Sequence, residues 1–178
     1  MARKATMPKL VPGLVPEPLW RLSGYRLLHR RVWERMRSQV FAQANGKCAV
    51  CGASKDKGMV CHEVWRYDER RGVATLTGLD LICPPCNAVE HIGRISSEVP
   101  EKVEDAVRHM ASVNHQTFER ALGLIQRASA VWKRRSALRW KTEVAPGLLD
   151  RFPELGVVAG RWGAPGTGER RVDESSDR

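Results

Sequence analysis

Apolar positions along the chain follow two periods. From His29 to about Ala44, Val32, Met36, Val40 and Phe41 line one side of a helix. Arg30, Arg31, Arg35 and Arg37 occupy its other side, and Gly46 follows as a stop. The pattern then shortens. Residues 59–65, MVCHEVW, read as a strand, YDERRG from Tyr67 to Gly72 as a turn, and VATLTGLDLIC from Val73 to Cys83 as a second strand with Gly78 inside it. Pro84 and Pro85 open a helix that runs to about Arg94, because proline suits a first turn whose N–H groups have no helical partner. Two further helices follow. One spans Pro100 to Asn114, with Val103, Val107 and Met110 in register and acids in its first turns. The other spans His115 to about Leu138, with Phe118, Leu122, Ile125, Ala128 and Trp132 in register.

The ends read differently. Pro8, Pro12, Pro16 and Pro18 predict an extended N-terminal arm over residues 1–18. After Ala145 glycine, proline and charge dominate, which predicts a flexible tail over 147–178. Between them, 19–146 reads as one α+β domain, with a core at about 47–95 and flanking helices at about 29–44, 100–114 and 115–138.

The charge is uneven. Thirty Lys and Arg against twenty acids give +10, but residues 1–47 carry +8, 48–98 carry −1, 99–148 carry +4 and the remainder −1. Basic segments thus flank a nearly neutral, Cys/His-bearing centre, a distribution suited to a polyanionic partner such as nucleic acid. No apolar run approaches the ~20 residues of a membrane helix, and the first fifteen residues lack the features of a signal peptide. These features argue for a cytoplasmic protein without a membrane partner. Five cysteines, four of them in Cys-x-x-Cys pairs, argue for metal binding in a reducing compartment rather than a disulfide framework.

Cys48-x-x-Cys51 and Cys83-x-x-Cys86 lie 31 residues apart. Two such knuckles present four thiolates to one ion, with zinc the usual occupant, in a closed structural site. A second polar group lies beside them. Asn87 and His91 are four apart on one helix face, and Cys61 and His62 lie on the preceding strand. Adjacent strand residues point to opposite faces, so Cys61 and His62 serve one site only if the strand bends or ends there.

The stretch from Cys48 to Arg94, with CAVCG, CHEVWRYDE, GLDLICPPCN and NAVEHIGR, resembles the HNH endonucleases of the ββα-metal fold. The resemblance extends more weakly over about 15–145, through VPEPLW, AQANGKC, RHMASVN and VWKRRSALRW. It implies that His62 is the general base that activates water. It implies that Cys61, Asn87 and His91 ligate a catalytic metal. Gly78 stands where the family has the middle Asn that orients the base, Asn87 stands for the last motif histidine, and Cys61 for an Asp or His. Cys and imidazole favour zinc or another late transition metal over magnesium, and a backbone carbonyl or Asp80 would have to orient His62.

The implied activity is hydrolysis of phosphodiester bonds, of DNA foremost and double-stranded, with one divalent metal (Zn²⁺, Mg²⁺, Mn²⁺ or Ni²⁺) beside the structural Zn²⁺. Arg66 and Arg94 are candidates to contact phosphate near the site, and Arg30, Arg31, Arg35, Lys133, Arg134 and Arg135 further out. The three departures keep a second reading open, a zinc-stabilised nucleic-acid-binding module with little or no cleavage.

Overall fold

The computed structural model describes residues 7–54 and 58–165. In chain order its elements are α1 (Gly24–Leu27), α2 (Arg30–Gln43), β1 (Val60–Asp68), β2 (Val73–Ile82), α3 (Pro84–Glu90), α4 (Ile92–Glu98), α5 (Val103–Val113), α6 (Phe118–Ser136), β3 (Trp140–Val144), α7 (Pro146–Arg151) and β4 (Trp162–Gly163). Short 3₁₀ turns occupy Glu17–Leu19, Pro100–Lys102 and Pro153–Val158. The fold is mixed α+β. One sheet has the order β1-β2-β3-β4, with β2 and β3 parallel and the other neighbours antiparallel.

Helix α2 starts where the pattern predicts, with the His29 Nδ1 accepting the Arg31 N–H at 3.3 Å as its cap. Its inward stripe is Trp33, Met36 and Val40, while Phe41 is exposed. The predicted stripe is therefore rotated toward Trp33, whose larger apolar surface takes the inner place.

The β1–β2 hairpin contains a register change. Leu76 and Leu79 are three apart, so a regular strand cannot turn both inward. The ladder pairs Val64 with Gly78 and Trp65 with Leu76, leaving Thr77 as an extra residue whose hydroxyl donates to the Val64 carbonyl at 3.0 Å. This bulge resets the alternation, and Ala74, Leu76, Leu79 and Leu81 all become buried.

The helix expected to run from Pro84 to Arg94 is interrupted. His91 sits between α3 and α4 with φ −104° and ψ 29°, its N–H still bonded to the Asn87 carbonyl at 3.0 Å. The expected tail is also corrected. Residues 146–163 form α7, a 3₁₀ turn and β4, and Phe152, Leu155 and Val158 are almost fully buried. The apolar spacing Leu148, Phe152, Leu155, Val158 is helix-like and was masked by surrounding glycine, proline and charge. The rest of that segment, 166–178, lies outside the described residues.

The N-terminal arm is fastened from residue 7 onward. The Asn114 side chain accepts from the Leu10 N–H at 3.0 Å and donates to the Leu10 carbonyl at 2.6 Å, so one side-chain amide satisfies both backbone groups of a single arm residue. The Val15 carbonyl accepts from the indole N–H of Trp20 and of Trp132, at 2.8 and 3.1 Å. Leu10 is fully buried. Further on, Gly163 of β4 lies so close to the Pro18 carbonyl that no Cβ would fit, and the arm thereby closes against the last strand.

Strand β3 is not predicted by the sequence reading. Its residues alternate Trp140, Thr142 and Val144 inward. Thr142 is satisfied by donating its hydroxyl to the Val158 carbonyl and accepting the Arg161 N–H at 3.1 Å.

A candidate metal centre and the histidine pair beside it

The sulfurs of Cys48, Cys51, Cys83 and Cys86 all lie within 4.8 Å of one another, and those of Cys51 and Cys83 are 3.6 Å apart. Zinc bonded to four sulfurs at ~2.3 Å requires sulfur–sulfur separations of roughly 3.8 Å, so this donor set fits a zinc ion. None of the four is in a disulfide.

Local backbone structure builds the cluster. The first knuckle is a tight turn closed by the Cys48 N–H to the Ala53 carbonyl and the Gly52 N–H to the Cys48 carbonyl, both 2.9 Å. Gly52 there adopts φ +74°, which glycine accepts without strain. The Ala49 N–H reaches the Leu81 carbonyl at 2.8 Å and ties this knuckle to β2. Cys83 is the N-cap residue of α3, and Cys86 lies in its first turn. Burial raises the Cys48 thiol, but hydrogen bonds from the backbone of Cys51, Cys83 and Val50 outweigh it and bring it down to about 7.

The clip brings α3 against the hairpin and apposes two imidazoles. The His62 and His91 rings lie 5.2 Å apart, centroid to centroid, tilted at 58°. Burial lowers both, and the neighbouring His62 and Arg94 also depress His91, to about 4. Both rings are therefore neutral near pH 7, with lone pairs available for a proton or a metal. Asp80 stands opposite His62 in the ladder and, by its charge, partly offsets the burial that lowers His62. The Asn87 Oδ1 is buried and has no hydrogen-bond partner among the described residues. An orphaned buried amide oxygen is costly, and a bound cation is one way of satisfying it.

Cys61 does not join this group. The ladder is regular from Val60 to Val64, so Cys61 and His62 project to opposite faces. Cys61 belongs to the apolar core, and burial together with Glu63 pushes its thiol up to about 12. The bend that would have admitted it occurs only after Val64. Gly78 pairs with Val64 on the His62 side of the hairpin.

The basic residues divide. Arg30 pairs with Glu34 at 2.8 Å, Arg35 with Glu154, and Arg94 with Glu98 at 3.7 Å. Arg134 and Arg135 both engage Glu69, at 2.8 and 2.9 Å, and the Arg135 guanidinium lies 4.6 Å over the Tyr67 ring. These two arginines fasten the hairpin turn to the end of α6 and hold Glu69 down to about 2. Arg31, Arg66 and Lys133 carry no ion pair among the described residues. Arg66 projects to the same side of β1 as His62, four residues along.

One contact escaped the sequence reading. His109 of α5 places its Nε2 3.2 Å from the Cys86 sulfur. Its position on the inward half of α5, one residue from Met110, was the available signal. No helix among the described residues is long and apolar enough to cross a membrane. The chain matches no family model, no curated protein and no solved structure.

Proposed function

We propose that this chain is a metal-dependent endonuclease of the HNH type, hydrolysing phosphodiester bonds of nucleic acid, DNA foremost, from a ββα-metal core. The reading rests on one observation. A hairpin and the helix after it, joined by four convergent cysteines, bring two neutral imidazoles together, and the helix carries an Asn87 oxygen with no hydrogen-bond partner among the described residues. Asn87 and His91 would hold a divalent ion, which supplies Lewis-acid stabilisation of negative charge on the phosphate. With Cys61 turned into the core, the ligand set is smaller than the sequence implied.

His62 takes the proton from the attacking water. Its burial keeps the ring unprotonated, and the Asp80 carboxylate across the strand steadies the positive charge it acquires. Arg66 holds the phosphate from the same face. The net charge of +10 draws the polyanion toward the molecule.

A plasmid-nicking assay with Mg²⁺, Mn²⁺, Zn²⁺ or Ni²⁺ tests this directly. Cleavage by the native chain should fall by about 10²–10⁴-fold in His62→Ala, the range of general-base catalysis, while zinc content is unchanged. Cleavage that survives the substitution removes His62 from the role. The loss of Cys61 from the site and the Gly at position 78 favour a second reading, a non-cleaving nucleic-acid-binding module. Its signature is a salt-sensitive gel shift with no nicking in any of the four metals.

A further inference from the structure

The four cysteines are not equivalent in what surrounds them. Backbone hydrogen bonds from Cys51, Cys83 and Val50 reach the Cys48 sulfur, and one from Cys86 reaches the Cys83 sulfur. Cys86 is fully buried. Besides the neighbouring cysteines, the His109 Nε2 reaches its sulfur, at 3.2 Å, from a helix that belongs to neither knuckle. A thiolate buried among other thiolates needs a hydrogen-bond donor, because four of them around one dication leave a net negative charge in a poorly solvated place.

We propose that His109 is a positioning residue for the metal centre, donating its Nε2–H to the Cys86 thiolate and thereby retaining the zinc. The backbone supplies such donors at Cys48 and Cys83, and at Cys86 the α5 side chain supplies one. The consequence reaches past the cluster. Asn114, immediately after α5, grips the N-terminal arm at Leu10, so one helix joins the metal knuckle at one place and the arm at another. The inference concerns the four-cysteine centre alone and stands whether or not the chain cleaves nucleic acid.

The test compares His109→Phe, which keeps a flat ring but has no donor, with His109→Gln, whose amide N–H reaches a similar distance. Zinc transfer from the purified full-length chain to a chromogenic chelator is timed, and the thiolate-to-metal charge-transfer band of the Co²⁺-substituted chain is recorded. His109→Phe should release zinc roughly 10- to 100-fold faster, the range seen for partners of metal ligands, and should shift the cobalt band. His109→Gln should stay close to the native chain in both. Native release and an unmoved band in His109→Phe overturn the proposal. Equal acceleration in both variants also overturns it, since that marks packing and not donation. A native chain purified without zinc, and unable to take it up, removes the centre itself.

Discussion

His62 lies under two opposing influences. Burial lowers its proton affinity, and the carboxylate of Asp80 across the ladder raises it. The ring is thus kept neutral but has a counter-charge beside it when a proton arrives, which is what a general base requires. The weak point is the neighbouring position 78, where the family that this segment resembles has asparagine. Gly78 has no need of its own flexibility. Its backbone is not left-handed, and a Cβ built there meets only Val64, at 3.7 and 3.8 Å, ordinary contact. An asparagine would fit on the His62 side of the hairpin, within the diagonal reach of cross-strand neighbours. Gly78→Asn should therefore fold with little change in thermal midpoint and should increase the nicking rate over the native chain in the same metal. An unchanged rate would show that His62 already has a sufficient orienter.

At the scale of elements, the arm and α3 meet through a half-buried acid. The Glu90 carboxyl accepts the Gly13 N–H, and burial raises it to about 7, with Asp80 adding to the rise. The place is so close that a Cβ on Gly13 would collide with the carboxylate. A raised carboxyl binds its proton more tightly folded than unfolded. The associated stability is complete below the unfolded value near 4.5 and is lost as pH climbs toward about 7. Glu90→Gln keeps the acceptor for Gly13 and removes the charge. Melting curves at pH 5 and pH 8 should show a variant more stable than the native chain at pH 8, by on the order of 1–3 kcal/mol, and little different at pH 5. Pairing of Glu69 with Arg134 and Arg135 acts in the opposite sense: it holds the Glu69 carboxyl low, so its contribution is present above the ordinary carboxylate value and is lost as pH falls.

At the scale of the whole molecule, both ends of the described chain complete the core. Leu10 enters it from the arm, and Phe152, Leu155 and Val158 enter it from the segment after β3. Strand β4 then covers the far side of β3 and seats Gly163 against Pro18. Phe152→Ala should cost about 3–5 kcal/mol in urea unfolding, the range for truncating a buried phenylalanine. A loss below 1 kcal/mol would mean that this segment is as loose as its composition implies. The hairpin and helix of the candidate site thus sit inside a scaffold whose last strand and last turns come from outside the 19–146 region read as the domain.

The sequence by itself determined the parts whose signals are local. Periodicity placed α2, the two strands of the hairpin and α5 and α6 within a few residues, and the Cys-x-x-Cys spacing picked out the four residues whose sulfurs converge. Cysteines three apart are brought near one another by any tight turn, so that signal needs little of the remaining chain. Tertiary structure decided which way each residue faces and what meets across long separations. It turned Cys61 inward and His62 toward His91, because a regular ladder gives adjacent residues opposite faces and the bulge comes too late to change that. It placed His109 against Cys86 and Arg134 and Arg135 against Glu69, contacts between segments that no local pattern links. It also drew residues 146–163 into the core, since burial depends on the surface available to receive an apolar side chain and not on the composition around it.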